Sequence, residues 1–85
     1  MNVVMYGVRW CPDCRRAREF LAKHGIEYTE IDVDKDKAAS DEVIAQVGKR
    51  AVPQLVIDGA WFQPYKPGHG LLVDELHQRL GIPRG

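Results

Sequence analysis

The apolar residues of the chain recur at two different spacings, one typical of strands and the other of helices. Short apolar runs rich in β-branched residues predict four strands, at residues 3–6, 26–33, 55–57 and 60–63. Apolar residues three or four positions apart predict three helices, at residues 12–24, 38–47 and 72–80. The stretch from Pro64 to Gly70 is rich in proline and glycine, and we expect it to be irregular.

The order of these elements predicts an α/β fold. A strand-helix-strand start calls for parallel strands joined by a right-handed crossover. The Asp58-Gly59 pair between the last two strands predicts a hairpin, which adds antiparallel strands to the same sheet. At 85 residues the chain has room for one core, so we expect a single domain over residues 1–85.

Composition and charge exclude several classes of function. Twelve basic residues balance twelve acidic ones, which leaves no positive field to attract nucleic acid or an anionic membrane. The first residues, MNVVMY, contain neither the basic segment nor the small-residue cleavage site of a signal peptide. No later apolar stretch is long enough to span a bilayer. The charge run at 32–37 is typical of a solvated loop and helix start. We therefore expect a cytoplasmic protein without nucleic-acid or membrane partners.

Cys11 and Cys14, two residues apart, allow three interpretations: a redox pair, half of a zinc site, or a structural disulfide. A single bridge would be a poor framework for a secreted domain, and it would close a very short loop. A structural zinc site requires four ligands. Besides the two cysteines, the candidate ligands are three histidines that are not suitably paired in sequence, His24, His69 and His77. Redox chemistry is favoured, and we expect no metal.

The surroundings of the two cysteines suit thiol–disulfide exchange. The reactive form is the thiolate, which the unpaired N–H groups at a helix N-terminus stabilise. Cys11 lies at the predicted helix start, and Pro12 suits the first helical turn because its missing N–H costs nothing there. Cys14 lies one turn further on and is more shielded, which suits a resolving cysteine. Arginines at positions 9, 15 and 16 add positive charge, whereas Asp13 opposes it.

Three segments together carry a resemblance to a known family: YGVRWCPDC at 6–14, GIEYTEIDVD at 25–34 and RAVPQLVIDG at 50–59, followed by a C-terminal helix. In order and spacing they resemble the glutaredoxin-like branch of the thioredoxin superfamily. The resemblance implies the thioredoxin/glutaredoxin fold, a four-stranded mixed sheet flanked by three helices in the order β-α-β-α-β-β-α. It also implies an enzyme, a dithiol thiol–disulfide oxidoreductase that reduces protein disulfides or mixed disulfides.

The resemblance assigns roles to individual residues. Cys11 would attack the substrate and Cys14 would resolve the mixed disulfide. Pro53 would follow a cis peptide bond and face the cysteines, and the backbone of Val52 would pair with the substrate like an added strand. Arg9 is the nearest base before the nucleophile.

Trp10 precedes Cys11 directly, and it suits two roles that can coexist. It would fill the corner between strand and helix, and it would offer an apolar shelf beside the sulfur for a partner.

The segment AWFQPYKPGHG, at 60–70, departs from glutathione-using glutaredoxins because it lacks a Gly-Gly-x-Asp-type stretch. Its Trp61 and Tyr65-Lys66-Pro67 look instead like an element of NrdH-redoxins, which take electrons from thioredoxin reductase. Trp61, Tyr65 and Lys66 are therefore candidates for partner docking. The alternative is a hydrophobic hairpin end that packs beneath the last helix.

The sequence is compatible with several reductants. WCPDC also looks like the site of mycoredoxins, so glutathione, another low-molecular-weight thiol and thioredoxin reductase are all candidates. We expect no tightly bound cofactor, a monomer, and disulfide-containing proteins as partners. A hypothesis from another class is an iron–sulfur module, in which two chains share a cluster through Cys11 and two small thiols. Cys14 argues against it, because monothiol sites favour that use.

Overall fold

The computed structural model describes residues 1–83 of the chain. Within this range the helices are α1 (Pro12–Lys23), α2 (Lys37–Val47) and α3 (Val73–Leu80). The strands are β1 (Val3–Gly7), β2 (Thr29–Asp32), β3 (Gln54–Ile57), β4 (Ala60–Phe62), β5 (Tyr65–Lys66) and β6 (Gly70–Leu71). The single domain expected over 1–85 includes residues 84 and 85, which lie outside the described range. None of the helices within 1–83 has the length and apolar character needed to cross a bilayer.

The main sheet has four strands in the order β2-β1-β3-β4. β1 pairs with β2 in parallel and with β3 in antiparallel, and β4 closes the sheet as the antiparallel neighbour of β3. The predicted mixed sheet with three helices is confirmed. β1 is a central strand of the sheet. The residues that follow its C-terminal end, where α1 begins, therefore lie near the middle of the sheet and not beside an edge strand.

Side chains alternate along β1, so that each face of the sheet receives its own buried cluster. Val3 and Met5 point to the face covered by α1 and α3, whereas Val4 and Tyr6 point to the face covered by α2. The first cluster comprises Val3, Met5, Ala17, Phe20, Leu21, Leu55, Ile57, Phe62, Leu76 and Leu80. The second comprises Tyr6, Val8, Cys14, Val33, Ala39 and Val43. Cys14 is thus a core residue of the α2 side.

α1 ends in a hydrogen-bonded cap that shortens the strand after it. Gly25, with φ of 66°, donates to the Ala22 carbonyl at 3.1 Å, and Ile26 donates to the Leu21 carbonyl at 2.9 Å. This is the Schellman pattern, which requires a left-handed residue and so favours glycine. The strand predicted from residue 26 begins only at Thr29, because Ile26 still belongs to the helix cap.

The charge run at 32–37 forms a turn and the start of α2. The Asp36 carboxylate accepts a hydrogen bond from the Ala39 N–H at 3.0 Å, which satisfies one of the unpaired donors of the first helical turn. α2 therefore begins at Lys37, one residue before the predicted start. The Asp58-Gly59 turn is confirmed, with φ of 49° and 87° at its two residues, as a primed hairpin turn requires.

The stretch from Pro64 to Gly70 was expected to be irregular, and this expectation is wrong. Tyr65 pairs with Leu71 and Lys66 with Gly70 in a small antiparallel hairpin, closed by a 2.9 Å hydrogen bond from the His69 N–H to the Lys66 carbonyl. Pro64 takes part as an acceptor, since its carbonyl binds the Leu72 N–H at 2.7 Å. The proline and glycine residues here make a turn between two short strands.

Candidate active site

The chain leaves β1 at Gly7 and reaches the two cysteines at the N-terminal end of α1. Cys11 is the N-cap residue, in extended conformation, and its carbonyl accepts the Arg15 N–H at 3.0 Å. Pro12 occupies the first helical position, where its missing N–H leaves no donor unpaired. Both cysteines are free thiols, with Cys11 half-buried and Cys14 buried. The helix start therefore presents one thiol to solvent and keeps the other inside.

The thiol of Cys14 is in an environment that keeps it protonated. Burial raises the pKa of Cys14 to about 12, and the neighbouring Cys11 adds to the increase. A hydrogen bond with the Val8 backbone and the charge of Arg18 oppose this effect on the pKa. Arg18 also donates to the Val8 carbonyl at 2.7 Å and pairs with Glu30 at 2.7 Å, which holds the loop after β1 in place. At neutral pH Cys14 is thus a neutral, shielded thiol.

Val52 and Pro53 lie on the segment that leads into β3. The peptide bond between them is cis, as the resemblance implied. Pro53 is buried, and Val52 and Cys11 are both half-buried at the margin of the cluster that contains Cys14. The fold therefore brings Val52 and the two cysteines, which are about forty residues apart in sequence, to one region of the molecule.

Trp10 and Arg9 lie on the outer side of this region. Together with Cys11, Pro12 and Arg15 they line a shallow pocket of about 170 Å³. The Trp10 side chain is 73% exposed, so it is not core filler at the strand-to-helix corner. The pocket gives Cys11 an apolar neighbour and two cationic ones.

The candidate docking residues are distributed over two parts of the fold. Trp61 is half-buried on the α2 side, where its ring stacks on Tyr6 with 5.0 Å between centroids. The Tyr6 hydroxyl in turn donates to Glu42 at 3.0 Å, and burial, followed by this contact, raises the pKa of Tyr6. Tyr65 and Lys66 lie in β5, in the small second sheet.

The hairpin end does not place Trp61 beneath the last helix, as the alternative interpretation of that residue assumed. Neighbouring strand residues point to opposite faces, so that position is taken by Phe62, which packs with Leu76 and Leu80. The Arg79 guanidinium lies 4.4 Å from the centre of the Phe62 ring. The docking role itself stays a prediction.

Two residues at the site gave no signal in the sequence. The Trp10 indole N–H donates to Asp34 at 2.8 Å, and Arg50 donates to the other oxygen of the same carboxylate. These bonds, from Arg50 first and Trp10 second, hold the pKa of Asp34 below its usual range. In the sequence, Asp34 belongs to the charge run at 32–37 and Arg50 opens the RAVPQLVIDG segment, with no individual role indicated for either. Nothing in the spacing links them to Trp10.

The side chains that could ligate a metal ion are dispersed over the described part of the fold. Across positions 1–83, no group of three or more histidine, cysteine or carboxylate side chains is gathered closely enough to hold a metal ion. The two thiols stand next to an apolar cluster, an indole and arginines. The carboxylate of Asp13, between the two cysteines, is paired with Arg16 at 3.0 Å.

Residues 3–62 match the sequence model of the family named glutaredoxin. The chain belongs to the glutaredoxin family. Members of this family are thiol–disulfide oxidoreductases, and the Cys11-Pro12-Asp13-Cys14 segment lies within the matched range. The fold, the family and the two free thiols therefore agree on the class of reaction that this glutaredoxin catalyses.

Relatives of this glutaredoxin include proteins named glutaredoxin and proteins named NrdH. It is 37% identical to glutaredoxin 3 of Escherichia coli over 57 residues, which is 67% of this chain and 69% of that protein. It is also 29% identical to the glutaredoxin-like protein NrdH of Lactococcus lactis over 65 residues, 76% of this chain and 89% of that one. Among solved structures, a variant of the thioredoxin-like protein BC3987 superposes with a TM-score of 0.81 at 30% identity, covering 96% of this chain and 97% of that one.

Proposed function

We propose that this glutaredoxin reduces disulfides by a dithiol cycle, with Cys11 as the nucleophile and Cys14 as the resolving thiol. The observation that carries this assignment is the contrast between the two sulfurs at the start of α1. Cys11 is partly exposed at the helix N-terminus, whereas Cys14 is completely buried next to it. A substrate disulfide can reach only the first of these, since attack requires direct contact between the sulfurs.

The proposed cycle consists of two successive thiol–disulfide exchange steps. The Cys11 thiolate attacks one sulfur of a substrate disulfide, forms a mixed disulfide and releases the other sulfur as a thiol after protonation. Cys14 then loses its proton and attacks the Cys11 sulfur, which releases the second substrate thiol. The substrate gains two electrons and two protons, and the protein is left with a Cys11–Cys14 disulfide. A dithiol donor or two molecules of a monothiol must then reduce this disulfide.

The residues around the two thiols are proposed to bind the substrate. Pro12 fixes the start of α1 and thereby the position of Cys11. The backbone of Val52, next to Pro53, pairs with an extended segment of substrate, as a strand added to a sheet does. In the pocket around Cys11, Arg9 contributes positive charge and Trp10 contributes apolar surface.

For the electron donor we propose a low-molecular-weight thiol such as glutathione, with thioredoxin reductase as the alternative. The likeness to glutaredoxin 3 supports the first. The likeness to an NrdH protein and the absence of a Gly-Gly-x-Asp-type stretch in the sequence at 60–70 support the second. Under the second alternative, Trp61, Tyr65 and Lys66 are the proposed contact with the reductase.

The setting we propose is the cytoplasm, where dithiol chemistry of this kind is normally catalytic, and we propose that the protein works as a monomer. Its partners would be proteins that carry disulfides.

Two cysteine variants test the mechanism. Cys11→Ser is expected to lose reduction of both a protein disulfide, such as insulin, and a small disulfide, such as hydroxyethyl disulfide. Cys14→Ser is expected to lose the protein disulfide reaction and to keep mixed-disulfide exchange with the small substrate, because only the resolving step needs Cys14. Full activity of Cys11→Ser on insulin would overturn the proposal.

The donor is tested by following the reduction of oxidised wild-type protein. Glutathione with glutathione reductase is compared with thioredoxin reductase and NADPH at equal protein concentration. Faster reduction by glutathione supports the first donor. Reduction by thioredoxin reductase alone, weakened by Lys66→Glu but not by Lys23→Glu at the end of α1, supports the second.

A further inference from the structure

A continuous chain of hydrogen bonds runs from Trp10, beside the nucleophile, to the loop that precedes the cis-proline. The Trp10 indole N–H donates to one oxygen of Asp34 at 2.8 Å, and a terminal nitrogen of Arg50 donates to the other oxygen. The Nε atom of Arg50 also donates to the Ser40 hydroxyl at 3.1 Å. The Asp34 carboxylate thereby connects three loops at the same end of the sheet: the loop after β1, the loop after β2 and the loop before β3.

Trp10, at one end of this series of hydrogen bonds, is unusually exposed for a tryptophan. Trp10 is 73% exposed, although large aromatic side chains are normally much more buried. An exposed indole with a free N–H would sample several rotamers, and binding a partner would have to suppress that motion. Here the Asp34 carboxylate fixes the ring through its one polar atom and leaves the ring surface open.

Arg50 offsets the negative charge of the Asp34 carboxylate, which is hydrogen-bonded to the residue before Cys11. A bare negative charge close to Cys11 would oppose formation of the thiolate. Arg50 is hydrogen-bonded to the Asp34 carboxylate, so the pair presents little net charge. The side chains of Arg9 and Arg15, by contrast, have no hydrogen-bond or ion-pair partner within residues 1–83, so positive charge prevails around the pocket that contains Cys11.

The shape of the surface indicates what it contacts. The pocket around Cys11 holds only about 170 Å³ and is open, whereas sites that enclose a small molecule are commonly about 300–1,000 Å³. A small thiol would leave most of the Trp10 ring uncovered. A polypeptide segment on either side of a disulfide is large enough to cover the ring and to reach the Val52 backbone as well.

We propose that Asp34 and Arg50 are positioning residues that hold Trp10 as a docking surface for the polypeptide around a substrate disulfide. This inference rests on the proposed function and adds a source of preference for protein disulfides over small ones. Trp10 contacts the substrate, Asp34 orients Trp10, and Arg50 orients and neutralises Asp34. A purely structural tie between the loops would affect stability without affecting substrate affinity.

The test compares Asp34→Ala with Asp41→Ala, since Asp41 is also an exposed carboxylate paired with a cation, Lys37 on α2. Both are made in a Trp61→Phe background, so that all tryptophan fluorescence comes from Trp10. We expect Asp34→Ala to increase acrylamide quenching of Trp10 and to raise KM for oxidised insulin about five-fold, with kcat little changed. Turnover of hydroxyethyl disulfide should stay within about two-fold of the background protein. Asp41→Ala should change neither quenching nor KM.

Two variants of Arg50 keep the inference open to refutation if Asp34→Ala folds poorly. Arg50→Ala is expected to act in the same direction, and Arg50→Lys to restore part of the effect because it keeps the charge. In a Trp10→Phe background, Asp34→Ala should have no further effect on KM, since no indole N–H is left to orient.

Unchanged quenching and KM in Asp34→Ala would overturn the inference, and so would an equal loss for insulin and the small disulfide. A wild-type protein that reduces no disulfide would overturn the proposed function, and this inference with it. An active wild-type protein with an unaffected KM in the variants would overturn this inference alone.

Discussion

The sulfur of Cys14 lies against the backbone of Gly7. A β-carbon added at Gly7 would stand 3.1 Å from the Cys14 Sγ and 3.4 Å from its Cβ, with the Met5 methyl group also at 3.4 Å. Contacts this short force the neighbouring atoms to move, because a packed interior has little free space. The last residue of β1 is therefore small enough to let the resolving thiol sit inside the fold.

Gly7→Ala should destabilise the protein by about 1 kcal/mol, because overpacking outweighs the gain from a less flexible unfolded chain. The measurement is urea unfolding under reducing conditions. A double-mutant cycle with Cys14→Ala separates the contact from other effects, since the clash should largely disappear once the sulfur is gone. An equal penalty in both backgrounds would show that the sulfur is not what Gly7 accommodates.

The difference in burial between the two thiols predicts selective alkylation. At about pH 8, iodoacetamide should modify Cys11 and leave Cys14 intact, because only Cys11 is accessible and Cys14 stays protonated. Peptide mapping by mass spectrometry locates the label, and the same reaction in denaturant should modify both residues. Equal labelling of the two cysteines in the folded protein would contradict the burial described here.

The raised pKa of Cys14 predicts a loss of stability in alkaline solution. Burial raises this pKa from 9.0 to about 12, so the folded state binds the proton more tightly than the unfolded state does. The resulting stabilisation is complete below pH 9 and is lost as the pH rises from 9 towards 12. We expect the free energy of unfolding to fall more steeply above about pH 9 in the wild type than in Cys14→Ala. Identical slopes would contradict the prediction.

The cap of α2 predicts a stability effect remote from the thiols. Asp36→Ala should lower the free energy of unfolding by about 1 kcal/mol, because the Ala39 N–H loses its acceptor. Asp36→Ser should restore most of it, since serine also caps helices well. Lys37→Ala, which breaks the exposed pair with Asp41, serves as the control and should cost less than about 0.5 kcal/mol. A control variant as unstable as Asp36→Ala would rule out the cap as the cause.

The parts of the molecule that could be predicted from sequence are those with local causes. Cys11, Pro12 and Cys14 could be placed at a helix start because proline and the apolar spacing after it are signals within one or two turns. The Asp58-Gly59 turn was likewise visible in two adjacent residues. The mixed sheet followed from the order of the elements.

The parts that could not be predicted depend on contacts between distant segments. Trp10 and Asp34 are 24 residues apart, and Arg50 lies 16 residues beyond Asp34, so they meet only once the sheet has formed. The face taken by Trp61 depends on strand register, in which a shift of one residue exchanges the two sides. The hairpin at 65–71 could not be predicted because the turn residues of a short hairpin are the same types as those of an irregular loop.

Trapping the mixed disulfide shows directly whether Cys11 is the nucleophile and Cys14 the resolving thiol. Cys14→Ser protein is incubated with excess glutathione disulfide, and mass spectrometry with peptide mapping locates the adduct. We predict one glutathione on Cys11, with none on Cys14 in the matched Cys11→Ser protein, and an internal Cys11–Cys14 disulfide in the wild type. An adduct on Cys14 of Cys11→Ser, with Cys11 of Cys14→Ser unmodified, would contradict the assignment of nucleophile and resolving thiol.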